Sequence, residues 1–142
     1  MTPAVQIYLS FDGQCEAAFR FYEQRLGATG IRIFPYANSP MARDVPEEWR
    51  TKVMHGSITL GGLTISGADL PPERYEQPKG FRIFLDADDP TDTERLFHAL
   101  AENGTVEMPV QETFWSLRFG VLTDQFGIPW ALSCTQAPAP TT

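Results

Sequence analysis

One of the two histidines, His55, and two of the arginines, Arg82 and Arg118, stand on stretches that alternate polar and apolar residues. Their side chains carry the most pointed chemistry in the chain. His55 would serve as a base near neutral pH, its pKa lowered by a neighbouring arginine. Lone histidines seldom act without an orienting partner, so the favoured reading is a strand histidine hydrogen-bonded to a neighbour. Arg82 and Arg118, on strands expected to lie near each other, would clamp a carboxylate or phosphate. The alternative, each arginine paired with an acid such as Glu107 or Glu112, stands equally. Tyr8, Tyr36, Phe84, Phe114 and Trp115 offer either a pocket for a flat ligand or ordinary core; for Trp115, whose parity points toward a helix, core is preferred. Cys15 near a helix start would be a reactive thiol if its pKa were depressed, but it lies on the apolar stripe of that helix and reads as buried and inert. Asp12 and Asp124 read as turn and cap residues.

The elements that must position these groups follow from periodicity. Glu112 to Cys134 is an alternating strand, a turn at Asp124-Gln125-Phe126-Gly127, and a second alternating strand. Leu117, Phe119 and Val121 with Ile128, Trp130 and Leu132 are expected to face a core. Ser116, Arg118, Gly120, Pro129, Ala131 and Ser133 are expected on the wetter side. An earlier hairpin, Val53 to Gly67, turns at Gly61-Gly62. Ahead of it, Val5 to Phe11 alternates as a half-buried strand. Asp12-Gly13 then opens a helix in which Glu16 is placed to reach back to free N–H groups. Cys15, Ala18, Phe19, Tyr22 and Leu26 form its buried stripe, and Gly27 ends it. Ile31 to Phe34 is a short strand. Pro35 to Lys52, with three prolines and Trp49, has the length of a functional lid or contact arm.

The pattern then restarts. Ala68 to Lys79 is a proline-rich linker, and Phe81 to Asp86 is a strand. Asp89-Pro90 with Asp92 caps a helix whose stripe is Thr93, Leu96, Phe97 and Leu100 and whose end is Gly104. Val106, Met108 and Val110 mark the strand before the last hairpin. Sliding the chain on itself by roughly 76 positions lays Tyr8-Leu9 on Phe84-Leu85 and Phe21 on Phe97. The predicted organisation is α+β: a first βαβββ unit over 3–68, a linker over 69–79, a second unit over 80–135 and a loose tail over 136–142. Each unit is a sheet with a helix on one face, and its other face needs a partner. Two curved sheets facing each other would make a cup-shaped, incompletely closed mixed β-barrel with the helices outside.

Bulk properties narrow the function classes. The 142 residues carry a net charge of −7 and no basic run, which argues against a nucleic-acid partner. No apolar run is long enough to cross a bilayer and no basic-then-apolar leader opens the chain, so no membrane partner and a cytoplasmic location are expected. The two cysteines, Cys15 and Cys134, suit reduced buried thiols.

A tandem βαβββ repeat resembles the vicinal oxygen chelate superfamily, which includes glyoxalase I, extradiol dioxygenases and the bleomycin and fosfomycin resistance proteins. The stretch Tyr8 to Ala18, Phe21-Tyr22, Leu26-Gly27, Val53-Met54-His55, Met108-Pro109, Phe114-Trp115, Arg118-Phe119-Gly120 and Asp124 to Trp130 resemble its PhnB-like branch. That branch carries a demethylubiquinone methyltransferase label. No strand here leads into a Gly-rich turn that would cradle S-adenosylmethionine, so the label is set aside.

The resemblance implies a small-molecule site lined by the helix-free parity: Gln6, Tyr8, His55, Ser57, Thr64, Ser66, Arg82, Phe84, Ser116, Arg118 and Ala131. Metal-using relatives place a carboxylate on the last strand of a unit. The matching positions here are Ser66 and Ala131, which are poor ligands, so no cofactor and no resident metal are expected. The leading expectation is a binding protein that holds an anionic or aromatic ligand by Gln6, Tyr8, His55, Arg82, Phe84, Phe114 and Arg118. The competing expectations are a metal-dependent lyase, isomerase or transferase, with His55 as its weak catalytic candidate, and a scaffold whose role is association. The resemblance also implies a homodimer.

Overall fold

The computed structural model describes residues 2–135 and divides into two compact units, the first ending at Pro78 and the second starting at Lys79. In the first, β1 (Ile7–Phe11), α1 (Cys15–Leu26), β2 (Thr29–Pro35), β3 (Val53–Leu60) and β4 (Leu63–Asp69) follow one another. The second repeats this order with β5 (Ile83–Ala87), α2 (Pro90–Ala101), β6 (Thr105–Gln111), β7 (Ser116–Thr123) and β8 (Pro129–Thr135). Each unit holds a four-stranded mixed sheet, ordered β1-β4-β3-β2 and β5-β8-β7-β6, with the first strand parallel to the last and the other pairs antiparallel. The α+β class and the tandem βαβββ repeat are as expected. No helix among the described residues is long and apolar enough to cross a membrane.

The core of the first unit lies between α1 and one face of its sheet. Cys15, Ala18, Phe19 and Tyr22 on the helix meet Leu9, Phe11, Ile58 and Ile65 from the strands, all buried. Phe19 packs edge-on against Phe11 at 5.7 Å. Burial of these large apolar side chains is the main source of stability here. Gly27 takes the left-handed conformation at φ 80° and closes α1 as expected. Glu16 does not reach back to the helix start. It pairs with Arg20 one turn on, at 3.4 Å, because the first helical N–H is already taken by Asp69 from β4.

In the second unit Thr93, Leu96, Phe97 and Leu100 form the buried stripe of α2 as expected. The helix ends at Ala101, before Gly104. Asn103 supplies the left-handed residue at φ 58°, and Gly104 is instead needed for closeness: a methyl group there would lie 2.5 Å from the Thr123 carbonyl oxygen.

The segment 36–52 forms three short 3-10 turns, Tyr36–Asn38, Pro40–Asp44 and Glu47–Trp49. It is tied to its own unit. Tyr36 N–H donates to the Lys52 carbonyl, Ala37 N–H to that of Arg50, and Lys52 Nζ to the Gly13 carbonyl at 2.9 Å.

The alternation of β7 differs from the expectation. From Arg118 to Thr123 the ladder with β8 is unbroken, and its register pairs Gly120 with Leu132 and Leu122 with Trp130. Phe119 and Val121 stand opposite Ser133 and Ala131, on the face away from α2. Gly120 and Leu122 turn toward α2; a methyl on Gly120 would lie 2.5 Å from Phe97 Cε2, and Leu122 is fully buried. Arg118 shares that helix side.

Candidate functional site

Each sheet has one face on its helix and one without. On the helix-free face of the first unit the strand registers set a row across all four strands: Tyr8 opposite Ser66, Ser66 opposite Ser57, and Ser57 opposite Arg32. The next row brings His55 opposite Phe34. Tyr8 is 60% exposed, and its ring lies 5.9 Å from that of His55, tilted by 38°. Ser66 Oγ donates to Gln6 Oε1 at 3.3 Å. Partial burial, together with repulsion from Tyr36 and Cys15, pushes the Tyr8 phenol up, so it stays a neutral hydrogen-bond donor. Gln6, Tyr8 and His55 therefore come together as expected. His55 has a ring partner and no hydrogen bond among the described residues, which differs from the hydrogen-bonded strand histidine favoured by its sequence context.

Arg32 completes that row, and sequence reasoning passed over it. The signal was present, since Ile31 and Ile33 flank it on the opposite parity. What the sequence does not carry is the register of β2 on β3, which is shifted twice by irregularities. The Arg32 side chain has no hydrogen bond or ion pair with the described residues.

The helix-free face of the second unit is aromatic. Phe84 stands 6.5 Å from Phe119, Phe119 is 5.4 Å from Trp115, and Trp115 is 4.7 Å from Phe114. Phe114 is 91% exposed and Trp115 48%, so Trp115 is not core. Tyr36, by contrast, is buried in the first unit, its hydroxyl donating to the Asp69 carbonyl at 3.0 Å.

The two expected arginines do not form a clamp. β8 lies between β5 and β7, so the strands that flank or carry them are not neighbours. Arg82 ion-pairs with Glu107 and donates to the Leu122 carbonyl at 3.1 Å, while Thr123 Oγ1 donates to the other oxygen of Glu107. Arg118 turns to the opposite face, where Nε donates to Glu94 of α2 at 3.3 Å and Nη1 to the Leu117 carbonyl at 2.6 Å. Of the two acids foreseen as partners, Glu107 is the one used, and it serves Arg82.

Ser66 and Ala131, where metal-using relatives carry a carboxylate, stand opposite Tyr8 and Phe84. Among the described residues no three of His, Cys, Asp and Glu gather in a way that would hold a metal ion. Neither a serine hydroxyl nor an alanine methyl is a strong donor for a divalent ion. The buried carboxylates have other work. Asp69 accepts from the N–H groups of Cys15 and Val53, both at 2.8 Å. Asp124 accepts from Phe126, Ile128 and the Trp130 indole, which fixes the last hairpin as the turn residue foreseen. Burial, with Asp69 and Glu16 adding repulsion, pushes the Cys15 thiol far up, in keeping with an inert thiol.

A small βαβββ repeat with an open, aromatic-lined sheet face defines a class, and the glyoxalase/bleomycin resistance protein/dioxygenase superfamily matches residues 5–132. The chain belongs to that superfamily. It is 34% identical over 134 residues to protein YjdN of Escherichia coli K12, covering 89% of this chain and 91% of that one. The crystal structure of PA1353 from Pseudomonas aeruginosa shares 39% identity with a TM-score of 0.84, covering 96% of this chain and all of that one. A PhnB protein of Bacillus cereus is similar in fold at 23% identity and TM-score 0.74, covering 94% of this chain and all of its own. The likeness to the PhnB protein is one of fold.

Proposed function

We propose that this protein is cytoplasmic and binds a small anionic or aromatic molecule on the helix-free face of a sheet, holding it by side chains and not through a resident metal. The observation that carries the reading is the exposed Tyr8 ring set against His55, beside a row of hydroxyl groups. Gln6, Tyr8 and His55 supply stacking and hydrogen bonds on the open face of the first unit. Arg82 and Arg118 are engaged by Glu107 and Glu94 and are left out of the binding set. We also propose that the chain works as a homodimer.

Protein purified without chelator should release, on denaturation, a small anionic or aromatic compound identifiable by mass spectrometry. Its content of zinc, nickel and manganese should fall well below one ion per chain. A stoichiometric ion would overturn the reading and make a metal-dependent lyase, isomerase or transferase the better one.

A further inference from the structure

The helix-free face of the first unit has an uneven charge. The chain as a whole has 18 acidic residues against 11 lysines and arginines. Yet the strand residues on this face (Tyr8, Ser10, Arg32, Phe34, His55, Ser57, Thr59, Thr64, Ser66 and Ala68) include no carboxylate and one permanent cation, Arg32. Arg82 and Arg118 are each paired with an acid; Arg32 is paired with none of the described residues. The cation stands at one end of an ordered series. Tyr8, with the His55 ring beside it, begins the row; the Ser66 and Ser57 hydroxyls continue it; Arg32 ends it on the edge strand. Neighbouring strands lie about 4.8 Å apart, so three steps separate the Tyr8 and Arg32 Cα atoms by roughly 14 Å.

We propose that this row is a binding site for an aryl oxyanion, an aromatic ring bearing a short arm that ends in a carboxylate or a phosphonate-type group. The ring lies against Tyr8 and His55. The anionic head accepts hydrogen bonds from the Arg32 guanidinium and the Ser57 hydroxyl. Charge complementarity selects the occupant: a cationic ligand would meet Arg32, and a wholly apolar one would leave the Arg32 and Ser57 side chains without partners. The assignment rests on the small-molecule reading above. It narrows that reading to one unit, one face and one anion-binding residue.

The test uses the full chain and four probes: phenylphosphonate, phenylacetate, benzyl alcohol and inorganic phosphate. Phenylphosphonate or phenylacetate should shift the backbone amide resonances of Tyr8, Arg32, His55, Ser57 and Ser66. Benzyl alcohol and inorganic phosphate, each lacking half of the ligand, should bind about 10-fold more weakly or worse. Arg32→Gln should weaken the two aryl anions by about 10- to 100-fold, the range expected when a charge-assisted hydrogen bond is lost. It should leave benzyl alcohol unchanged. Arg118→Gln should leave all four unchanged. Circular dichroism establishes that each variant is folded. If the aryl anions bind Arg32→Gln as well as the parent, or shift resonances only in the second unit, this site is overturned while small-molecule binding stands. If inorganic phosphate binds as tightly as phenylphosphonate, the ring half of the site is wrong. If no probe binds, the site is overturned, and the wider reading is judged separately by the compound released on denaturation.

Discussion

At Gly120 the second unit leaves no room for a side chain. A methyl group would lie 2.5 Å from Phe97 Cε2 and 3.0 Å from Val110 Cα. Phe97 of α2 fills the space that a strand residue would otherwise occupy. Gly120→Ala should lower the unfolding free energy by about 1–3 kcal/mol, the usual cost of overpacking, read from urea denaturation. In a Phe97→Leu background the same substitution should cost less, because one of the two obstacles is removed. A Gly120→Ala variant as stable as the parent would show that the strand does not turn this residue toward the helix. The same turn decides the fate of Arg118. Read along the sequence, Leu117, Phe119 and Val121 make an unbroken apolar parity, and Ser116, Arg118 and Gly120 a polar or small one. The hairpin register instead sets Gly120 and Leu122 opposite the buried Leu132 and Trp130, and pairing between strands leaves no mark in an alternating pattern. Arg32 was hidden by a related gap: its own parity is plain, but its neighbours depend on a register set by pairing.

The two helices are anchored by different devices. α2 is capped within reach of its own sequence: Asp89 accepts from Asp92 N–H at 2.7 Å and Pro90 takes the first turn. That cap was legible in four consecutive residues. α1 has no side-chain cap at Gln14; its Cys15 N–H is held by Asp69, which also holds Val53 N–H. Nothing near Asp69 in sequence announces this, because the contact spans 54 positions. Asp69→Ala would leave two buried N–H groups without partners and should cost about 2–5 kcal/mol of stability, measurable by urea denaturation. A cost below about 1 kcal/mol would remove Asp69 from this role. Burial pushes the Asp69 carboxyl up, against the opposing pull of its two N–H donors and of Lys52, with Asp12 adding to the rise. A carboxyl raised in the folded state gives stability that is full below the unfolded value of about 3.9 and is lost as pH climbs through the folded value. The stability of the parent relative to Asp69→Asn should therefore decline as pH rises above about 4. A difference that grew over that range would contradict the direction of the shift.

Across the whole chain, the same scaffold is built twice and given different surfaces. Both sheets have the same strand order, and Tyr8 opposite Ser66 corresponds to Phe84 opposite Ala131. The repeat, its helices and its hairpins were legible because they rest on local periods of two and 3.6 residues. Which side chains share a face was only partly legible, since it depends on pairing between distant strands. The first unit offers hydroxyl groups and a cation on its open face. The second offers Phe84, Phe119, Trp115 and Phe114, with Phe84 59% exposed. Contiguous exposed aromatic surface of this kind is what a partner or a ligand would cover. Together with the pairing of units across subunits that the superfamily resemblance implies, it supports a homodimer built on the second unit. Sedimentation at micromolar concentration should give a dimer mass, and Phe84→Ser combined with Phe114→Ser should shift it to monomer while circular dichroism stays that of folded protein. A parent that sediments only as monomer would exclude the dimer. A double variant that stays dimeric would move the contact off this aromatic group.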